Sequence, residues 1–377
     1  MKNTDLNNPE YRTPLYQQWL QQLHLDFPLL VALFILSLIG LFVLYSATGQ
    51  DIGEVQKQAI RLGFGFTIML VLAQLTPQTL KRWTPGLFVL GVILLTLVIL
   101  AGVQVKGAQR WLDLYFFRFQ PSELMKLVAP MAVAWYLAET NLPPGIGKIL
   151  ASIVLLSVPV FLVAIEPDLG TSLLIASAGF FVLFLAGLRW RYLGGASLLL
   201  ALMAWPIWSY MLRDYQRTRI KTFLNPENDP LGSGYHIIQS KIAIGSGGAY
   251  GKGWLNGTQS QLDFLPERST DFIFAVFSEE FGMMGAIMLL LLYSFLILRG
   301  IYIATQAQDS YSRLLGGSIS LTFFVYVFVN IGMVSGLLPV VGVPLPLISY
   351  GGTSIVTLLA GFGILMSIHT HRKMHAQ

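Results

Sequence analysis

Long apolar runs separated by short polar clusters make up most of this chain. Polar residues fill the first 26 positions, and Pro28 to Thr48 is then uninterruptedly apolar. That run is longer than a signal-peptide core and has no convincing small-x-small cleavage site, so it reads as an uncleaved first helix. Further apolar runs lie near 57–76, 84–104, 121–139, 148–166, 169–188, 192–212, 271–298, 314–338 and 345–368. Each approaches the roughly 20 residues needed to cross a bilayer as a helix. The pattern predicts an all-α polytopic membrane protein of ten transmembrane helices over 28–368. One large extracytoplasmic loop, 213–270, interrupts them, with an arm at 1–27 and a basic tail at 369–377.

Composition supports this reading. Of 377 residues 54% are apolar and only 11% charged, against roughly 25% charged in an ordinary soluble domain. A water-soluble globular fold is thereby excluded. The net charge of +5 is too small over such a length to suggest nucleic acid, and it suits basic cytoplasmic loops. With no cysteine there is no disulfide, thiolate nucleophile or zinc-cysteine site. An even number of helices puts both termini on one side. That side collects eleven basic residues, among them Lys2, Arg12, Lys81, Arg82, Arg372 and Lys373, while the short opposite loops and helix ends hold five. Counting the long segment removes the bias, but long segments translocate largely regardless of charge. Both termini are therefore expected in the cytoplasm.

Several polar groups sit where a membrane should not tolerate them. Glu123 and Lys126 stand at i and i+3 just inside the fourth helix, about 4.5 Å apart along its axis, and can form an ion pair. A clamp between helices and a substrate contact both fit that pair. The topology places Glu123 near the outer surface. Glu166-Pro167-Asp168 and Asp271 map to the same side, as do Lys106, Gln109, Arg110, Trp111 and Arg118 before the fourth helix. Such a cluster suits a substrate presented at the outer leaflet, with cations for a phosphate and a carboxylate for proton transfer. Snorkelling interfacial charges with aromatic anchors are the alternative. Asp271 opens a helix after Thr270, where the helix dipole favours an anion; an N-terminal cap and a general base both fit. Glu279 and Glu280 lie roughly 12 to 14 Å deeper along that helix, which suggests a structural or coupling role.

Other patterns carry less. Gly245-Ser246-Gly247-Gly248-Ala249-Tyr250-Gly251-Lys252-Gly253 fails as a Walker loop, because Ser246 and Gly253 replace required residues. His369, His371 and His375 read as part of the basic tail rather than a metal site. Pro339, Pro344 and Pro346, with Gly342, Gly351 and Gly352, break the apolar pattern before the last helix. Broken backbone at that depth is tolerated only against protein or a watery cavity, so a cavity near the outer ends of the last helices and simple helix-end punctuation both fit.

Taken together, Lys106-Gly107-Ala108-Gln109-Arg110-Trp111 and Phe119-Gln120-Pro121-Ser122-Glu123-Leu124-x-Lys126 resemble the signature of the SEDS family (shape, elongation, division and sporulation). So do Glu166-Pro167-Asp168-Leu169-Gly170-Thr171-Ser172, Thr270-Asp271-Phe272-Ile273-Phe274, Glu279-Glu280-x-Gly282 and Pro346-Leu347-Ile348-Ser349-Tyr350-Gly351-Gly352. The similarity runs in order from the first helix to the tail and lies closer to the elongation members than to the division members. It implies a ten-helix peptidoglycan glycosyltransferase that polymerises lipid II on the outer face of the bacterial inner membrane. A class B penicillin-binding protein of the elongation machinery is the implied partner. The family's essential aspartate falls on Asp271, and its intramembrane Glu and Lys fall on Glu123 and Lys126. Lys106, Arg110, Arg118, Asp168, Glu267 and Ser349 complete the substrate-binding expectation. Arg110, Arg118 and Lys126 would clamp the diphosphate, with a divalent cation, Mg or Mn, bridging its phosphates. Ser269 stands where many members have His, so no imidazole role is available there. A lipid II flippase and a noncatalytic scaffold for the penicillin-binding protein are the competing functions.

Overall fold

The computed structural model describes residues 24–371, apart from 106–107, 114–117, 212–213, 229–231, 263 and 266. The first 23 residues of the arm and the tail beyond 371 lie outside that set, as does Lys106. Helices cover all ten apolar runs: α1 Phe27–Ala47, α2 Ile52–Gln74, α3 Pro77–Ala101, α4 Pro121–Ala138, α5 Ile146–Ile165, α6 Leu169–Leu185 and α7 Trp190–Pro206, then, after an intervening segment, α11 Ile273–Thr305, α12 Ser310–Val334 and α13 Thr353–Thr370. Side-chain caps fix several starts. Asp26, Asp51, Thr76, Asp168 and Asp309 each accept a hydrogen bond from a first-turn N–H of α1, α2, α3, α6 and α12 respectively. Among the described residues seven segments are long and apolar enough to cross a membrane; α2, α4 and the 17-residue α6 are not among them. α2 carries Glu54, Lys57 and Arg61, and α4 carries Glu123 and Lys126.

The position of α4 explains how it carries charge. It packs against α3, α5, α6, α12 and α13, and most of its length is buried in protein. Lipid-facing helices are apolar on the outside as well: on α1, Leu33 and Leu36 are buried while Phe34, Ile35 and Leu38 are exposed. Small residues bring α2 and α13 into close approach. A Cβ on Gly363 would lie 2.5 Å from the Met69 carbonyl oxygen, and one on Gly65 would lie 2.7 Å from Leu359 Cδ1.

Two regions depart from the sequence pattern. Between α3 and α4 the chain forms a small antiparallel sheet, β1 Val103–Val105, β2 Ala108–Asp113 and β3 Arg118–Phe119, in the order β1-β2-β3. The segment read as a large loop is substantially helical, with α8 Asp214–Leu224, α9 Ser233–Ser246 and the short α10 Thr258–Gln261. The last helix also starts eight residues later than its apolar run. The stretch before it is held in irregular form by side chains: Tyr293 donates to the Pro346 carbonyl (2.7 Å), Gln58 to the Ser349 carbonyl (3.0 Å), and Asn330 to the Val343 carbonyl (2.8 Å). These bonds meet the requirement for satisfied backbone at depth.

Candidate active site

A cavity of about 280 Å³ opens between β2, the start of α4, the α5–α6 turn, α8 and the two ends of the irregular stretch before α13. It lies at the Pro- and Gly-broken segment, the cavity rather than the plain punctuation of the two readings that the sequence left open. Arg110, Lys126 and Arg219 bring three cations to its wall, and Glu123 and Asp168 bring two carboxylates.

Each charged group is fixed by its own partners. Lys126 Nζ lies 2.7 Å from Glu123 Oε1 with both side chains buried, and 5.4 Å from the centre of the Tyr326 ring. Glu123 Oε2 is buried without a hydrogen-bond partner among the described residues. The spacing of one helical turn therefore yields the ion pair that the sequence allows. On β2, Arg110 donates from Nε to the Glu166 carbonyl (3.3 Å) and from its terminal nitrogen to the Pro167 carbonyl. The same Nε lies 3.7 Å from Asp168 Oδ2. Asp168 also caps α6 through Thr171 N–H (3.2 Å) and accepts from Gln120 Nε2 (3.3 Å). One strand, one helix start and one interhelical turn thus meet at a single carboxylate.

Glu166, beside this junction, is buried with both carboxyl oxygens unpartnered among the described residues. Burial, reinforced by the neighbouring Asp168 charge and opposed in part by Arg110, pushes its carboxyl up to about 8.

Asp271 stands just behind the cavity wall. It is not the cap of α11: Phe272 occupies that position and makes no side-chain cap bond. The Asp271 carbonyl accepts from Asn330 Nδ2 at 2.9 Å. Gly342, which lines the cavity, has φ +81°, and a Cβ on it would come 3.6 Å from Asp271 Oδ2. Gly342 thus places the lining of the cavity beside the Asp271 carboxylate.

The remaining expected residues fall elsewhere. Arg118 is 57% exposed, faces Asp113 at 3.9 Å and does not line the cavity. Glu267 is exposed and accepts from the Thr270 hydroxyl at 2.8 Å. Ser349 is buried, accepts from Leu345 N–H (2.8 Å) and donates to the Thr270 carbonyl (2.5 Å), so it ties the broken stretch to the segment before Asp271. Sequence reasoning missed Arg219, because nothing marks one arginine among the seven cations of the long segment. It also missed Gln120, although that residue lies within a quoted motif. Among the described residues, no three His, Asp or Glu side chains gather as metal ligands.

The profile described as "Cell cycle protein", covering the FtsW, RodA and SpoVE proteins, matches residues 27–374. The chain belongs to this family. Among its FtsW/RodA/SpoVE relatives, peptidoglycan glycosyltransferase MrdB of Escherichia coli (strain K12) is 52% identical over 368 residues, 98% of each chain. Stage V sporulation protein E of Bacillus subtilis (strain 168) is 33% identical over 372 residues, 92% of this chain and 98% of that one. The fold matches a chain from a structure described as "Structural coordination of polymerization and crosslinking by a peptidoglycan synthase complex", with TM-score 0.81 and 32% identity over 92% of this chain and 99% of that one. It also matches Thermus thermophilus rod shape determining protein RodA, with TM-score 0.70 and 28% identity over 92% and 98%.

Proposed function

We propose that this protein is a peptidoglycan glycosyltransferase of the elongation type, polymerising lipid II into β-1,4 glycan strands with release of undecaprenyl diphosphate. The observation that carries the reading is a cavity walled by Arg110, Lys126 and Arg219 whose lining residue Gly342 stands beside the Asp271 carboxylate, a Cβ on it coming 3.6 Å from Oδ2. Three cations suit a diphosphate leaving group, whose charge grows as it departs. Asp271 accepts the proton of the acceptor's GlcNAc 4-hydroxyl as that oxygen bonds to the donor's MurNAc anomeric carbon. The anomeric carbon–oxygen bond to the diphosphate breaks in the same step. A β link made from an α-linked donor needs one inverting displacement, so one base and one clamp suffice.

Within the clamp, Glu123 orients Lys126, and Asp168 with Gln120 orients Arg110. Arg118, exposed on β3, belongs to the rim, where it can meet substrate on entry. Lys106 lies outside the described residues, and the family resemblance alone supports it as a substrate contact. Glu267 and Ser349 shape the segment that carries Asp271. A divalent cation fits the donor set in the manner usual for Mg²⁺, one or two carboxylates with substrate phosphates. Glu123 Oε2, buried and without a hydrogen-bond partner among the described residues, is the oxygen that would hold it. When bound, it would neutralise diphosphate charge.

In this reading all ten long helices span the bacterial inner membrane, both termini are cytoplasmic, and the cavity faces outward. The partner is a class B penicillin-binding protein that crosslinks the new strand. The relative named a peptidoglycan glycosyltransferase and the fold match from a synthase complex support this assignment. The test is glycan formation from purified lipid II in detergent, with Mg²⁺ or Mn²⁺ and the cognate penicillin-binding protein, comparing the parent with Asp271→Ala. Polymer from the parent alone is expected. No polymer from either, with lipid II translocation in liposomes, would replace the polymerase with a flippase.

A further inference from the structure

The long helix α11 is broken at Gly282, whose φ of 65° and ψ of −165° are non-helical. The break divides α11 into an outer piece, Ile273 to Phe281, with Asp271 just before it, and an inner piece that continues to Thr305. A break of this kind strips backbone groups of their helical partners. Here the glycine-rich stretch that fails as a phosphate loop supplies them. Lys252 and Gly253 donate their N–H groups to the carbonyls of Glu279 and Glu280, both at 3.0 Å. Met283 and Met284 donate to the carbonyls of Gly248 (2.9 Å) and Ala249 (3.1 Å). The strap 247–253 therefore stands in for the missing turn. Only glycine permits the approach: a Cβ on Gly247 would lie 2.1 Å from the Ser278 carbonyl oxygen, and one on Gly251 would lie 2.1 Å from that of Glu280.

A side-chain latch closes over this backbone joint. Glu279 is fully buried, and its Oε1 accepts from Lys252 Nζ (2.7 Å), Gln259 N–H (3.0 Å), the Thr258 hydroxyl (3.1 Å) and the Ser246 hydroxyl (3.4 Å). Glu280 accepts from Ser46 near the end of α1. Trp254 stacks on Phe42 of α1 at 4.0 Å and donates its indole N–H to the Phe42 carbonyl. The strap is thus fastened both to α1 and to the broken helix.

We infer that the strap and its Lys252–Glu279 latch are a positioning device that holds the outer piece of α11, and with it the Asp271 carboxylate, in register with the cavity. Lys252 and Glu279 are positioning residues in this scheme. About ten residues separate the break from Asp271, a lever of roughly 15 Å at the helical rise. A rotation of about 5° at Gly282 would then move the carboxylate by about 1.3 Å, and a 1 Å misplacement can cost about 100-fold in rate. The inference rests on the reading of Asp271 as the base.

The test measures kcat and KM for lipid II, together with the thermal midpoint, in Lys252→Met, Lys252→Arg and Glu279→Gln, with Asp271→Ala in parallel. In Lys252→Met and Glu279→Gln, kcat is expected to fall roughly 10- to 100-fold while KM stays within about twofold. Lys252→Arg, which keeps the charge, should recover most of the loss. If Glu279→Gln fails to fold, Lys252→Met carries the test, because the lysine side chain is partly exposed. Parental kcat in a folded Lys252→Met, a change in KM alone, or an equal loss in Lys252→Arg would overturn the inference while Asp271→Ala remained inactive. A fully active Asp271→Ala would instead overturn the base assignment, and the positioning role with it.

Discussion

Replacing Lys126 by Met separates the two roles that its ion pair allows. Lys126 and Glu123 are both buried, 2.7 Å apart, and the carboxylate already has one oxygen without a partner. Removing the ammonium leaves a buried charge unpaired, which costs about 3 to 5 kcal/mol of stability. Neutralising both partners, as in Glu123→Gln with Lys126→Met, removes that penalty and is expected to return stability to within about 1 kcal/mol of the parent. Activity should behave differently. If Lys126 meets the departing diphosphate, both variants lose one charge-assisted donor, worth about 100- to 1000-fold in kcat. The assay is initial rate of glycan formation per folded enzyme, beside denaturation midpoints for the parent, the single variant and the double variant. A double variant with restored stability and parental kcat and KM would show that the pair only holds helices together, and would remove Lys126 from the clamp.

Three further outcomes are expected. The Glu166 carboxyl is pushed from an ordinary 4.5 to about 8 by burial and Asp168, so it keeps its proton in the folded protein where the unfolded chain has lost it. Stability should therefore decline as pH rises from about 4.5 to about 8 and then level. Glu166→Gln should flatten that decline; identical slopes in midpoints taken at pH 5, 6.5 and 8 would refute the assignment. Gly342→Ala forces a side chain into a left-handed conformation beside Asp271, at a cost of about 1 to 2 kcal/mol, and should lower kcat more than it raises KM. Asp26→Asn weakens the two charge-assisted bonds from Arg299 and should cost about 2 kcal/mol in a denaturation assay. It lies far along the chain from the cavity residues and should leave polymerisation per folded molecule unchanged.

Periodicity and length were enough to place the helices, because apolar runs in a membrane must pair their backbone internally. The ends were less legible. α13 begins at Thr353 rather than near 345 because Pro346, Gly351 and Gly352 hand the preceding backbone to Tyr293 and Gln58, which lie far away in sequence. The Glu123–Lys126 pair could be read from i,i+3 spacing alone. The meeting of Arg110 with Asp168 could not, since it joins a strand to an interhelical turn and no spacing rule spans that distance. Arg219 was hidden for a related reason. Its segment looked like a loop, and only the folded α8 brings one of its cations to the cavity. The stretch that fails the Walker pattern has glycines needed for backbone-to-backbone contact with α11, a partner visible only in three dimensions.

The seat of Asp26 also bears on how the chain is made. Its carboxylate caps α1 through Leu29, yet its other partners are Arg299 and His369, which a ribosome delivers hundreds of residues later. A nascent chain therefore carries an acid at the foot of its first helix with only the local cap satisfied until α11 and α13 have been inserted. A chain stopped short of Arg299 would hold that acid at the foot of α1 with its local cap alone.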